Sequence, residues 1–155
     1  MIQRIQSLLL LICAAVLIGC LFTPAWNAVS NNSAYEVNSF ALTISDDTIS
    51  THKNIFYIAA LLGVSILLTF YIIFKYNNRM LQIRLNMMNT ILICLIEGLY
   101  FWHIREAKLL IGAAEFTEKF GLAFYMPLAA LVLCFLAGKR IQKDEELIKS
   151  VDRIR

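Results

Sequence analysis

Glu97 is the one acidic residue inside the long apolar stretches of this sequence, and it is the first residue to consider for chemistry. A helix turns about 100° per residue, so Asn86, Asn89 and Tyr100 fall on the same helical face as Glu97. Ionisable and amide side chains are costly in an apolar medium and turn towards the interior of a helix group or towards water. The spacing therefore predicts a polar stripe, facing inward, on one helix.

Two roles are open for Glu97. In one, the carboxyl group is a proton or cation site of a small coupled transporter. In the other, it is a hydrogen-bonded carboxyl that fixes the register of neighbouring helices, with Ser65 and Thr69 as potential partners. A transporter would normally show a second acidic residue in another span, broken helices or an inverted repeat, and none of these is visible. The pattern favours the structural role.

The cysteines and histidines do not form a recognisable site. Cys13, Cys20, Cys94 and Cys134 all lie in apolar stretches and include no C-x-x-C pair, so we interpret them as small packing residues. His52 and His103 are single residues without the spacing of a zinc site. No Ser-His, Cys-His or paired-carboxylate arrangement is present either. We therefore expect no metal, no cofactor and no enzymatic activity.

The elements that must position these residues are membrane spans. Of 155 residues, 59% are hydrophobic and 16% charged, and the mean hydropathy is +0.68, which is outside the range of soluble domains. Crossing the apolar core of a bilayer takes about 20 helical residues. Four stretches are long enough, namely 5–26, 54–76, 85–104 and 120–138. The prediction is one all-α tetraspan membrane domain over residues 1–155, a four-helix transmembrane bundle.

The distribution of Lys and Arg predicts the orientation. Ten of the fourteen basic residues lie on one side of the spans; they are Arg4, Lys75, Arg79, Arg84, Lys139, Arg140, Lys143, Lys149, Arg153 and Arg155. Basic residues resist translocation, so this side is expected to be cytoplasmic, with both termini inside. The net charge of +3 is explained by topology and requires no nucleic acid.

The first span has an alternative interpretation. Arg4, an apolar run and Leu17-Ile18-Gly19-Cys20 also fit a bacterial lipoprotein signal, in which Cys20 would become the acylated N-terminus. The apolar run continues past Cys20 to Trp26, which favours a retained span.

The two outer connections are less determined. In the first, residues 27–53, a short alternation at Tyr35 and Val37 and then at Phe40, Leu42 and Ile44 fits a small β-hairpin, and a mobile loop is the alternative. In the second, residues 105–119, charges alternate with aliphatic residues, which fits either a short interfacial helix or a solvated connector.

The tail, residues 139–155, is predicted to be a cytoplasmic amphipathic helix that continues from the fourth span. Its apolar stripe comprises Ile141, Leu147, Ile148, Val151 and Ile154. The stripe could dock on the chain itself or on the bilayer, or it could bind another membrane or cytoplasmic protein.

Helix contacts in lipid depend on small residues, and these recur at intervals of four on three of the spans. They are Ala15 and Gly19, Ala59 and Gly63, and Ala130, Cys134 and Gly138. Pro127 lies within the fourth span and predicts a bend there.

Both ends of the chain and the start of the third span resemble a known family. They read Met1-Ile2-Gln3-Arg4-Ile5-Gln6, Gln82-Ile83-Arg84-Leu85-Asn86, and a closing run from Gly121 that ends in IQKDEELIKSVDRIR. These segments resemble domain of unknown function family 4293, tetraspan inner-membrane proteins of Bacteroidetes. The resemblance covers essentially the whole chain and implies a bacterial inner-membrane protein, but no activity or site. The layout is also similar to that of claudin-like tetraspans, although the paired loop cysteines of claudins are missing.

The leading hypothesis is a non-enzymatic assembly, scaffold or accessory subunit, and the alternative is a proton- or ion-coupled transporter that uses Glu97.

Overall fold

The structure, a computed structural model, describes residues 2–30, 33–45, 50–76, 78–112 and 115–152, with side chains for all of these except 2–4, 50 and 148–152. Its elements are α1 (Ile2–Phe22), β1 (Trp26–Ser30), β2 (Ser33–Val37), β3 (Ala41–Ser45), β4 (Ser50–Asn54), α2 (Tyr57–Phe74), α3 (Arg79–Ile111), β5 (Thr117–Phe120) and α4 (Leu122–Asp152). All four helices are long and apolar enough to cross a membrane.

The helices pack in a closed ring. α1 contacts α2 and α4, and α3 contacts the same two helices. Many large apolar side chains on the outside of the ring are exposed, such as Leu67 and Ile91, both 70% exposed. An apolar outer surface of this kind suits a lipid environment.

The helix boundaries follow from local chemistry. α1 ends at Phe22 rather than at Trp26, because Pro24 disfavours helix at the residue before it. α3 begins after Asn78, whose side chain accepts a hydrogen bond from Leu81 N at 3.1 Å. It ends at Ile111, and the residue that follows, Gly112, has a positive φ of 72°, which suits glycine.

Two helices extend well beyond their predicted spans. α3 has 33 residues and α4 has 31, which corresponds to roughly 45 to 50 Å, compared with about 30 Å for the apolar core of a bilayer. α3 therefore includes half of the connection that was expected to be a separate short helix or a loop. α4 continues through Pro127 and into the tail without interruption, so the tail is helical and continues from the fourth span, as predicted.

The sheet is larger than the predicted hairpin. Five antiparallel strands lie in the order β4-β3-β2-β1-β5, and β5 comes from the second connection. Its register with β1 pairs Trp26 with Phe120 and Val29 with Thr117. We call the end of the helices that carries this sheet the sheet end, and the opposite end, where α1 begins and α4 finishes, the tail end.

One face of the sheet packs on the helices. Trp26, Val37 and Leu42 are at most 1% exposed and share one apolar core with α1, α3 and α4. That partner surface explains why the strands form here, since an isolated hairpin is marginal in water.

Candidate functional site

A network of polar side chains crosses the helices towards the tail end. Asn89 is fully buried: its Oδ1 accepts from Ser65 Oγ at 2.7 Å, and its Nδ2 donates to Thr69 Oγ1 at 2.9 Å. Thr69 in turn donates to the backbone oxygen of Ser65 at 2.8 Å. These are the two side chains of α2 that the sequence singled out as potential partners of the stripe, and they bind Asn89 rather than Glu97.

Asn86 connects α3 to α4. It is 4% exposed, and its Nδ2 donates to the backbone oxygen of Cys134 at 2.9 Å. A side chain at Gly138 would meet this nitrogen, because a Cβ there would lie 2.9 Å from it. Glycine therefore allows α4 to approach α3 closely enough for the hydrogen bond.

Glu97 lies apart from the network. It is half-buried, and its Oε2 is buried without a hydrogen-bond partner among the described residues. On the same face, Ile93 and Tyr100 are fully buried. The structure thus brings Asn86 and Asn89 together in one polar layer and leaves Glu97 about two turns away from it, on the way to Tyr100.

A second polar cluster joins the sheet to the helices. Ser39, in the turn between β2 and β3, is fully buried, and its hydroxyl lies 2.7 Å from the Tyr100 hydroxyl. Ser39 also donates to the backbone oxygen of Cys20 at 2.9 Å and accepts at its own backbone oxygen from Ala59 N at 3.1 Å. One turn of the sheet therefore contacts α1, α2 and α3. Sequence reasoning missed Ser39, because nothing local distinguishes it from other loop serines.

A chain of titratable groups lies beside this cluster at the sheet end. Tyr57 OH and His103 Nε2 share a hydrogen bond, His103 Nδ1 lies 3.0 Å from Glu106 Oε2, and Lys53 Nζ forms an ion pair with Glu106 Oε1. His103 is 3% exposed and satisfies both ring nitrogens in this way. The sequence showed His103 only as a single residue without the spacing of a zinc site. The spacing of three from His103 to Glu106 was the one local signal for this contact.

A third set of contacts holds β5. Trp26 Nε1 donates to Glu118 Oε2 at 2.9 Å, and Lys108 Nζ lies 2.6 Å from the same oxygen. The hydrogen bond from Lys108 lowers the pKa of Glu118, with a smaller contribution from Trp26. Lys108 also lies over the rings of Trp26 and Phe120, at 5.9 and 5.5 Å from their centroids.

The four cysteines are free. Cys13, Cys20 and Cys134 are buried, as expected for packing residues, whereas Cys94 is exposed and does not fit that interpretation. Cys13 and Cys134 lie with their sulfur atoms 3.5 Å apart. Among the described residues, no three His, Cys, Asp or Glu side chains could hold a metal ion together.

The small residues only partly lie where the contact prediction placed them. Ala59, Ala130 and Cys134 are buried at helix contacts. Ala15 is exposed, however, and Gly63 has open space where a side chain would be. The prediction is therefore wrong for Ala15 and Gly63. α1 uses Leu10, Cys13 and Leu17 for its contacts instead of Ala15, whereas Gly19 lies against Met126 of α4, as predicted.

The tail divides into two parts. Ile141 is fully buried, and Asp144, 7% exposed, accepts a hydrogen bond from the Gln6 side chain of α1. Leu147 is 49% exposed. The side chains of Ile148, Val151 and Ile154 lie outside the described residues. The first turns of the tail therefore pack on the other helices through one face, which carries Ile141 and Asp144, whereas Lys139, Arg140, Gln142 and Lys143 are exposed. The first exposed residue of the predicted apolar stripe is Leu147.

The comparisons add a family but no function. A family model described as "Domain of unknown function (DUF4293)" matches residues 2–154. No curated protein matches this chain.

Proposed function

We propose that this chain, which belongs to the DUF4293 family, is a scaffold or accessory subunit of a bacterial inner-membrane complex, and that it binds its partner through the sheet. In this proposal the tail end is cytoplasmic, so both termini are inside and the sheet is outside. The excess of Lys and Arg at the tail end supports this orientation.

The observation that carries the proposal is the way the sheet is held. Ser39 joins it to three helices, Lys53 joins β4 to α3 through Glu106, and Glu118 joins β5 to Trp26 and Lys108. Each contact fixes part of the sheet on a long helix. A sheet that served only to connect two spans would not need three independent attachments, whereas a binding surface benefits from being rigid, since less conformational freedom is lost on binding.

The edges of the sheet are the surface that we assign to the partner. β4 and β5 are its two edge strands, and Thr51 to Asn54 and Thr117 to Phe120 are exposed throughout. An edge strand presents backbone donors and acceptors that a strand of another protein can pair with. We therefore expect a partner with an extended segment outside the membrane.

The tail is proposed as a second, cytoplasmic contact. The first exposed residue of its apolar stripe is Leu147, which follows the residues that pack on α1. A chain that ends at Glu146 retains Ile141 and Asp144 and removes the segment that begins at Leu147, so it tests the exposed end of the tail without removing its packed turns.

The experiment is site-specific photo-crosslinking in the native membrane. A photoreactive residue is placed at Thr51 in β4 or Thr117 in β5, and at Glu36, exposed on the central strand β2, as the matched control. We expect one heterologous protein to be crosslinked from an edge position and not from Glu36. The same protein should be crosslinked more weakly in the chain that ends at Glu146. Absence of any crosslinked protein from both edges would refute the sheet as the partner surface.

A second function, a proton- or ion-coupled transporter, is supported by one observation: the Oε2 of Glu97 is buried and has no hydrogen-bond partner within the part of the chain that the structure describes. A group of this kind can exchange a proton with a passing ion or substrate. Its test is flux in liposomes: the transporter hypothesis expects Glu97→Gln to abolish a proton or cation flux that the wild type supports, and an equal flux in both would remove it.

A further inference from the structure

Four polar side chains form a row where β4, α2 and α3 meet at the sheet end. Lys53 pairs with Glu106, Glu106 contacts His103, and His103 shares a hydrogen bond with Tyr57. The proposed attachment of the sheet uses only the first of these contacts, the ion pair between Lys53 and Glu106. His103 and Tyr57 lie beyond that ion pair and need a separate explanation.

The contacts determine which atoms in the row carry hydrogen. Glu106 is ionised in its ion pair with Lys53, so its Oε2 can only accept a hydrogen bond. The Nδ1 of His103, 3.0 Å away, must therefore be the donor. In a neutral imidazole the other nitrogen then has a free lone pair, so Nε2 accepts a hydrogen bond from the Tyr57 hydroxyl. The phenol proton of Tyr57 thus points at a base.

The base and the phenol differ in exposure. His103 is 3% exposed, whereas Tyr57 is 45% exposed. The imidazole is therefore shielded from water, while the side chain that donates to it is open to the surroundings. Those surroundings are apolar, because the preceding residue, Phe56, is 57% exposed and its ring lies 6.2 Å from that of Phe40.

The arrangement is that of an activated nucleophile. A hydroxyl within hydrogen-bond reach of a base, with the base oriented by a third group, recurs in acyl-transfer sites on unrelated folds. Tyr57, His103 and Glu106 occupy these three places in order. The cation of the row, Lys53, is already paired with Glu106, so the row offers no free charge to hold a phosphoryl group. A neutral acyl donor fits this apolar surface better.

We propose that Tyr57 accepts an acyl group from an activated acyl donor at the sheet end, with His103 as its general base and Glu106 as a positioning residue. The Tyr57 Oη forms a bond to the acyl carbon as the bond from that carbon to the leaving heteroatom breaks. The hydroxyl proton passes to His103 Nε2 and from there to the leaving heteroatom. The products are an O-acyl tyrosine and the protonated leaving group, and no electrons are gained or lost. The inference is independent of the scaffold role.

The test uses N-acetylimidazole, a small neutral acetyl donor, on the purified full chain in detergent micelles. Peptide mass spectrometry measures the rate of acetylation at each tyrosine. Tyr125 is the internal control, because it is 54% exposed at the same end of the helices and its ring contacts Phe124 instead of an imidazole. We expect Tyr57 to be acetylated at least about tenfold faster than Tyr125, since a positioned general base contributes about 10²- to 10⁴-fold in enzymes. Equal rates would overturn the proposal.

Replacing the base tests its role directly. His103→Gln keeps a hydrogen-bonding group beside Tyr57 but cannot take up the proton, so it should lower the Tyr57 rate to that of Tyr125. His52→Gln, which alters an exposed histidine of β4, is the matched control and should leave both rates unchanged. A wild-type rate at Tyr57 in His103→Gln would overturn the proposal. Where that variant does not fold, the comparison of Tyr57 with Tyr125 in the wild type still decides.

A second pair of variants separates positioning from attachment. Glu106→Gln and Lys53→Gln both break the ion pair that holds β4 on α3, but only Glu106→Gln removes the charge behind the imidazole. We expect Glu106→Gln to lower the Tyr57 rate several-fold and Lys53→Gln to leave it close to the wild-type value. An equal loss in both variants would show that the row only attaches the sheet, and would overturn the role given to Glu106.

Discussion

Asn89 shows what a single amide does in the interior of this molecule. It accepts from Ser65 and donates to Thr69, so it joins α3 to α2 with both ends of its side chain. A single hydrogen bond between helices in lipid contributes a modest free energy. Removing one of its partners costs more than this, because the other partner is left buried without a hydrogen bond. Asn89 is therefore the polar residue with the clearest structural role, whereas Glu97, with a buried and unpartnered oxygen, has none in the described contacts.

Replacing Asn89 by alanine is expected to lower the free energy of unfolding by about 1–2 kcal/mol, because it removes both hydrogen bonds and leaves Ser65 Oγ without its acceptor. The measurement is reversible unfolding in mixed detergent micelles. Met88→Ala, at an exposed neighbouring position, is the control and should change stability by less than about 0.5 kcal/mol. A similar loss in both variants would contradict the role given to Asn89.

Glu118 predicts how the sheet responds to acid. Its pKa is lowered in the folded chain, mainly by the hydrogen bond from Lys108, so its contacts stabilise the fold above its ordinary pKa. That stabilisation is lost as the pH falls through the lowered, folded-state value. The protection of the β5 amides against hydrogen exchange, relative to their intrinsic rates at each pH, should therefore fall in the wild type below about pH 4. In Glu118→Gln, this protection should already be lower at neutral pH and should depend less on pH over this range. Equal pH profiles for the two proteins would show that the ion pair does not hold β5.

At the scale of elements, β5 is placed by the close contact of two backbone segments, the one that follows α1 and the one that precedes α4. Gly121 N donates to Ala25 O at 2.9 Å, directly before α4 begins and just after α1 has ended. A Cβ at position 121 would lie 2.1 Å from the backbone oxygen of Pro24. Only glycine allows the two backbones to approach this closely.

Gly121→Ala is accordingly expected to disrupt the pairing of β1 with β5 and to cost several kcal/mol, in the range reserved for severe backbone clashes. Gly98→Ala is the matched control, because it lies in α3 with no atom within 4 Å of the added methyl group, and it should be neutral or stabilising by up to about 1 kcal/mol. The measurements on both variants are the thermal unfolding temperature and the monodispersity of the protein in size-exclusion chromatography. Comparable folding of the two variants would refute the close approach.

The helices could be predicted because each leaves a local signal, an apolar run longer than 17 residues. The inward face of Asn86, Asn89 and Tyr100 followed from helical periodicity in the same way, and all three are buried. Two of the strands, around Val37 and Leu42, showed a short alternation. β5 showed none: all four of its residues are exposed, and its pairing joins positions more than 85 residues apart. Ser39 and His103 were missed for the same reason, since their partners Tyr100 and Tyr57 are brought to them only by packing.

For the whole molecule, the sheet and the tail lie at opposite ends of the helices, so the proposed orientation places one contact surface on each side of the membrane. An accessory subunit needs this arrangement if it is to bind one protein segment outside the membrane and another on the cytoplasmic side. The two surfaces can therefore be tested independently.

The orientation is tested by cysteine labelling in intact cells with a membrane-impermeant maleimide, in a chain with its four native cysteines replaced by serine or alanine. Ala34→Cys, exposed on β2, should be labelled from outside, whereas Glu146→Cys, exposed on the tail, should be labelled only after permeabilisation. The opposite pattern would invert the topology and exclude a cytoplasmic tail contact.

The accessory-subunit function is tested by the intact mass of the particle that contains this chain, extracted from its native membrane together with the surrounding lipid and without detergent. We expect a defined complex in which the chain is joined by a different protein in a fixed ratio. A particle that contains this chain and lipid alone would contradict the accessory-subunit function, and proton or ion flux through Glu97 would then be the function to test.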